Sequence, residues 1–386
     1  MDWELVLSVA TFVAAFVALF GMLRNRRAIR GMVLARRRTS ASRESESAQS
    51  ALADIPGAAY VVYNPTKNTD WAGLRAVLAR TAHDASLGEP VWLPTTAEDP
   101  GLGQTREAIA AGASVVIAVG GDGTVRRVAE GLAGTDIPMG LIPIGTGNLL
   151  ARNLNFPLDD LRELSVIALT GATRRIDVGV LQVRESIVAA GGTKDLGSGD
   201  VAAPGKHVFV VNAGMGLDAA IMAEADANQK LKEKLGWAAY FKAALPHILA
   251  PKMVATITAG SATAPVTTDA RTVMFLNCGE LLGGLILDST AKSDDGWMEL
   301  AIVDTRAGLI GWADLLRRAG MRGIGMKKVD IPGVPAQGDL DVHRITEAAL
   351  ETRDLHPVQV DGDVLGYTNR VYARIIPGAL NVRVRS

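Results

Sequence analysis

Between residues 58 and 154 four short apolar runs, AAYVVYNP (58–65), EPVWLPTT (89–96), SVVIAVGG (114–121) and MGLIPIGTGN (139–148), alternate with segments of helical period. No other feature constrains the fold as strongly. Strands separated by a helix-length crossover lie parallel, and helices on both faces of such a sheet bury it. The expectation is an α/β domain built on a parallel sheet. After about residue 175 the pattern changes to strand-like stretches divided by turn residues, among them RRIDVGVLQV, KHVFVVNAGMG, MVATITAG, ARTVMFLNCGE, WMELAIVD, PVQVDGDVLG and RVYARIIPGALNVRV. Helical stretches interrupt them at 218–245 and 308–323. That predicts a second, β-rich, sandwich-like domain.

Two of the first four runs end in glycine clusters. In SVVIAVGGDGTVRRVAEGL the strand passes through Gly120, Gly121, Asp122 and Gly123 into a helix expected to begin near Thr124. Glycine has the most backbone freedom to lose on folding, and packing alone does not call for three of them here. The expectation is a ligand pressed against bare main chain. In an open α/β sheet, ligands collect at the carboxyl ends of the strands. The N–H groups of Gly121, Gly123 and Thr124 would face an anion, helped by the positive end of the helix. Asp122 would repel phosphates unless a cation stands between, which points to Mg²⁺. A second loop, PIGTGN, offers Gly145, Thr146 and Asn148 on a neighbouring strand end, and Asn64-Pro65 closes an earlier strand.

Other chemistries are excluded by what the chain lacks. It contains no G-x-x-x-x-G-K-[ST], no strand-linked G-x-G-x-x-G and no G-x-S-x-G, and its five histidines show no metal-ligand spacing. A net charge of −1 and 5% aromatic residues exclude a nucleic-acid surface. The single cysteine, Cys278, lies in VMFLNCG and reads as a packing residue of a buried strand.

At the N-terminus LVLSVATFVAAFVALFGML (5–23) runs 19 residues without a charge and is followed by RNRRAIRGMVLARRR. As a helix that run is about 28 Å long, close to the hydrocarbon thickness of a bilayer. The reading is one transmembrane helix with a basic flank over 1–38, placing the remainder on the cytoplasmic side of the cell membrane, near anionic phospholipid. A Ser-rich linker over 39–56 follows, then the α/β domain over 57–175, the β-rich domain over 176–375, and a last strand, 376–386, that can return to the first domain.

GGDGTVRRVAEGL, followed by PIGTGNLLARNL and preceded by VVYNPTK, resembles the catalytic domain of diacylglycerol kinases. That family includes bacterial lipid kinases and sphingosine kinases and is distantly related to NAD kinases and phosphofructokinases. NAGMGLDA, KLGWAAY, AKSDDGWMEL and VQVDGDVLG carry the resemblance through most of the chain after residue 57. It implies ATP in a cleft between the two domains, Mg²⁺, and a lipid acceptor. It implies nucleotide contacts from Asn64, Pro65, Thr66, Lys67 and Asn68, from Thr96 (or Thr95), and from Gly121, Asp122, Gly123, Thr124, Val125, Arg126 and Arg127. Gly145 and Thr146 complete that set. The family's base is the last residue of a D-G-E motif; here Asp361-Gly362-Asp363 makes Asp363 the candidate, with Asp361 its substitute. The resemblance also implies a structural Mg²⁺ held by the side chain of Asp295 and the carbonyls of Lys292 and Trp297, with Asp122 facing the catalytic metal. Similar proteins are often homodimers.

The chain departs from the pattern at Arg126-Arg127, where many relatives have Asn-Glu, and at Leu149, where they have an aspartate. The arginines can pair with phosphates or a lipid headgroup, and Leu149 removes one metal-organising carboxylate. The expected function is a membrane-anchored, ATP-dependent lipid kinase acting on diacylglycerol. The alternatives are an NAD-kinase-like enzyme with a soluble acceptor and an inactive, nucleotide-binding membrane protein.

Overall fold

The computed structural model describes residues 57–186, 200–227, 247, 251–260, 264–280, 291–305 and 338–385. It begins β1 (Ala59–Tyr63), α1 (Trp71–Asp84), β2 (Val91–Pro94), α2 (Leu102–Ala110), β3 (Val115–Gly120), α3 (Asp122–Leu132), β4 (Met139–Pro143), α4 (Leu149–Asn153) and α5 (Leu161–Thr170). Strands β4, β3, β1 and β2 lie side by side in that order, all parallel. β3 and β4 are buried along their whole length, as strands covered on both faces must be. Helix α1 opens where the Asp70 side chain accepts from the Gly73 amide at 2.9 Å, and its buried stripe is Leu74, Leu78 and Ala82. That four-residue spacing is one face of a helix.

The remainder comprises β5 (Ala172–Val183), β6 (Gly205–Phe209), β7 (Asn212–Gly216), α6 (Leu217–Ala227), β8 (Met253–Ala259), β9 (Val266–Ala270), β10 (Thr272–Leu276), β11 (Met298–Thr305), β12 (Gly338–Ile345), β13 (Glu347–Val360) and β14 (Asp363–Val384). Among the described residues these strands join the parallel set in one mixed sheet of 14 strands, whose main path runs β12-β11-β10-β7-β13-β14-β4-β3-β1-β2. The join is β14. Its first part pairs antiparallel with β13, its last part with β5, and Val382 meets Met139 of β4 in parallel. Pro377 and Gly378 sit at the register break between Ile376 and Leu380, where Gly378 takes a φ of +56°. Two apolar cores result, one around Val61, Ile117 and Leu141, the other around Phe209, Phe275 and Leu350.

KHVFVVNAGMG, expected as one strand, is divided into β6 and β7 at Val210 and Val211, whose amides turn to the carboxylate of Asp361. The helical stretch at 308–323 and the Gly-rich run at 187–199 lie outside the described residues, as does most of the stretch after α6. The expected single-pass membrane localisation is corrected: among the described residues no helix is long and apolar enough to cross a membrane. The run expected to do so, with its basic flank and linker (1–56), lies outside them.

Candidate functional site

The chain leaves β1 for β2 on one side of the sheet and returns to β3 on the other. At such a switch point the crevice beyond the carboxyl ends of the strands is open to a ligand. The loops after β1 and β3 meet there, with the Asn64 amide donating to the Val119 carbonyl at 3.1 Å. Asn64 Oδ1 accepts from the amide and hydroxyl of Thr66 at 3.0 and 2.7 Å, which fixes a tight turn with Pro65, Thr66 and Asn68 exposed and Lys67 half-buried. Thr95 is buried with its amide on the Tyr63 carbonyl, whereas Thr96 is exposed and its hydroxyl accepts from the Asp99 amide at 3.1 Å.

Helix α3 starts at Asp122, two residues earlier than expected, with Gly121 extended at its N-cap. Its glycines answer to different causes. A Cβ on Gly120 would meet the Thr124 side chain at 2.6 Å, and one on Gly145 would meet the Gly121 Cα at 2.6 Å. Packing therefore demands glycine at Gly145 and, contrary to expectation, at Gly120. A Cβ on Gly123 would find only the carboxylate of Asp363, at 3.7 Å. Gly123 is the glycine left bare toward the second half of the molecule.

Asp122 ties the two glycine loops together. Its carboxylate accepts from the amides of Asn148 at 2.9 Å and Leu149 at 2.6 Å. Burial pushes its carboxyl up from the ordinary range, against the pull of those donors. Asn148, left-handed at φ 51°, accepts from the Gly145 amide at 2.9 Å and returns a bond to the Gly145 carbonyl at 2.8 Å. Thr146 is exposed at the tip of this loop, and Leu149 is buried beneath it. Thr124 and Val125 are buried in the first turn of α3.

The second half contributes the hairpin between β13 and β14. Val360 pairs with Asp363 across Asp361 and Gly362, which have φ of 46° and 90°. Two positive φ values in a two-residue connection are what Asp-Gly suits best. The turn sends the two carboxylates to different tasks. Asp361, 5% exposed, accepts from the amides of Val210 at 2.8 Å and of Val211 and Asn212 at 2.9 Å. Burial outweighs these donors and raises its pKa to about 6. The Asp363 side chain is 46% exposed, faces Gly123 and is ion-paired with Arg126, which is 2% exposed. Arg127 pairs instead with Glu130 at 2.8 Å.

Behind the hairpin lies a polar chain that sequence reasoning missed. Gln359 accepts from the Gly362 amide at 2.8 Å and donates to Asp218 at 2.9 Å, and Asp218 also takes the Thr272 hydroxyl. A Cβ on Gly214 would lie 1.9 Å from that Asp218 carboxylate. The signal was present in NAGMGLDA: an acidic residue behind small residues in an otherwise apolar stretch.

The loop expected to hold a structural metal is built around arginines. Asp295 is ion-paired with Arg344, whose guanidinium lies 5.4 Å from the Trp297 ring centroid, and Asp294 is paired with Arg174 at 2.6 Å. Lys292 and Trp297 are exposed. Among the described residues no three His, Cys, Asp or Glu side chains gather as metal ligands would. The Asp295 carboxylate is taken by a guanidinium, as that of Asp363 is by Arg126. At the crevice Mg²⁺ would take one or two carboxylates and complete its shell with phosphate oxygens and water. Asp122 and Asp363 supply carboxylates at the glycine loops.

Residues 58–181 match the family model described as Diacylglycerol kinase catalytic domain. The chain is 44% identical over 75 residues to the Diacylglycerol kinase of Mycobacterium tuberculosis (strain ATCC 25618 / H37Rv), covering 19% of this chain and 24% of that one. It is 31% identical over 136 residues to the Diacylglycerol kinase of Bacillus subtilis (strain 168), covering 35% and 45%. These matches span a quarter to under half of the relatives' length. The "Probable lipid kinase YegS-like" of Pseudomonas aeruginosa (strain UCBPP-PA14) is 26% identical over 319 residues, covering 81% of this chain and 91% of that one. Among solved structures, a diacylglycerol kinase from Bacillus anthracis str. Sterne superposes with a TM-score of 0.55 at 17% identity, over 85% of this chain and 96% of that one. That likeness is one of fold.

Proposed function

We propose that this chain, whose residues 58–181 match the diacylglycerol kinase catalytic-domain model, is an ATP-dependent kinase that phosphorylates a lipid hydroxyl, with diacylglycerol as the acceptor. The observation that carries this reading is the meeting of Asp363 with bare Gly123, a carboxylate brought from the second half of the sheet to the glycine loops of the first. Phosphoryl transfer asks a protein mainly for positioning and charge stabilisation. The free amides at the start of α3 and the exposed Thr146 hydroxyl hold the polyphosphate of ATP. Mg²⁺, when bound with the nucleotide, neutralises the charge that gathers on the β- and γ-phosphate oxygens. Asp363 accepts the proton of the acceptor hydroxyl as its oxygen bonds to the γ-phosphorus and the bond to ADP breaks. Asp361, committed to three amides, shapes the turn that presents Asp363.

The test is transfer of label from Mg²⁺-[γ-³²P]ATP by purified protein to diacylglycerol in mixed micelles, with sphingosine, a polyprenol and NAD in parallel. Label in diacylglycerol is expected. Asp363→Asn should lower turnover about 100-fold or more while ATP affinity is kept. Label in NAD alone, or in no acceptor, would refute the proposal.

A further inference from the structure

We propose that Arg126 is the positioning residue for Asp363, holding that carboxylate across the crevice so that one oxygen stays free for the acceptor's proton. The inference rests on the kinase reading above. Arg126 is buried in α3 with Thr124, Val125, Val128 and Ala129, and is the largest of the almost completely buried side chains among the described residues. A buried guanidinium is tolerated only when paired, because its desolvation is otherwise uncompensated. Its Nη2 is on Asp363 Oδ2, while its Nε and Nη1 have no partner among the described residues. The donor is thus anchored in a packed helix, and the acceptor is half exposed on a hairpin 237 residues away in sequence. Of the two partners, the helix can fix the hairpin side chain and not the reverse.

Both Asp363 oxygens lie 3.7 Å from where a Cβ on Gly123 would sit, and the pairing takes Oδ2, leaving Oδ1 without a claim from Arg126. A carboxylate so held keeps its aim when the crevice fills, and an error of about 1 Å in such a group costs on the order of 100-fold in rate. The charged and titratable neighbours of Arg126 are Asp361 on the β13–β14 turn, His207 on β6, and Glu130 and Arg127 on its own helix. None of these makes the contact to Asp363 that Arg126 makes. Arg126 thereby acts through Asp363, a different task from that of a phosphate ligand.

The experiment is a double-mutant cycle with Arg126→Gln, Arg126→Lys, Asp363→Asn and the Arg126→Gln/Asp363→Asn pair. Steady-state transfer to diacylglycerol, calorimetric affinity for Mg²⁺-ATP and melting temperature are read for each. Arg126→Gln is expected to lower kcat about tenfold or more with nucleotide affinity within about threefold of wild type. Arg126→Lys, which keeps the buried charge and the fold, should recover much of that loss. In the Asp363→Asn background the Arg126→Gln change should cost less than about twofold, and the melting shifts should not add. A tenfold fall in Mg²⁺-ATP affinity with kcat preserved would make Arg126 a phosphate ligand and overturn the assignment. So would additive losses around the cycle. A wild type that binds Mg²⁺-ATP but labels no acceptor refutes the kinase reading and the positioning role with it, and coupled melting shifts would then establish only the ion pair.

Discussion

Removing the Asp363 carboxylate should weaken the fold as well as the reaction, and the two effects can be separated. In Asp363→Ala the guanidinium of Arg126, 2% exposed, loses the partner of its Nη2 while its Nε and Nη1 have none among the described residues. Breaking a buried ion pair from one side costs about 3–5 kcal/mol, because a desolvated charge is stranded. The Asp363 side chain is 46% exposed, so water can approach the gap and the lower end, about 3 kcal/mol, applies. With a urea m-value of about 3 kcal/mol/M this moves the midpoint of unfolding down by about 1 M. Adding Arg126→Met to Asp363→Ala removes the stranded charge and should restore most of that midpoint, while turnover stays lost. Fluorescence-monitored urea unfolding of the three proteins makes the measurement. A shift below about 0.2 M in Asp363→Ala, or a double variant no more stable than the single one, would show that the buried guanidinium does not depend on this carboxylate.

Three further outcomes follow from the same geometry. Gly145→Ala should destabilise the protein, since its Cβ would lie 2.6 Å from the Gly121 backbone, whereas Gly123→Ala should melt close to wild type and lose Mg²⁺-ATP affinity in calorimetry. The raised pKa of Asp361, about 6, means the folded state holds that proton more tightly than the unfolded one. Its stabilising contribution is full below about pH 4 and lost as pH rises through about 6, an effect on the order of 3 kcal/mol; Asp361→Asn should flatten the stability profile in that window relative to wild type. Burial pushes the Cys278 thiol up, so it should resist a maleimide in the native protein and react only after denaturation.

The first half of the molecule was legible because each strand and helix declares itself locally. The apolar stripe Leu74, Leu78, Ala82 and the all-buried β3 are visible in the order of residues alone. The glycine clusters were legible as loops at neighbouring strand ends, but the reason for each glycine was not. Gly145 is glycine because Gly121, 24 residues earlier, lies against it, and no pattern of spacing reports that contact. Asp122 shows the same limit: its amide partners Asn148 and Leu149 belong to the next loop. The break between β6 and β7 comes from Asp361, some 150 residues downstream, which draws Val210 and Val211 out of an otherwise continuous β pattern. The seam between the two strand sets was hidden for a related reason: alternating residues show that strands exist, but only pairing partners reveal that β14 joins both sets.

That strand also governs when the molecule can become competent. β14 carries Asp363 at its head and the seam with β4 and β5 toward its tail, and it is synthesised after every other described strand. A nascent chain can assemble its glycine loops long before the carboxylate that faces them exists. On the proposed reading, nucleotide held by such a precursor would meet no proton acceptor until the stroke that completes the sheet brings Asp363 to the glycine loops.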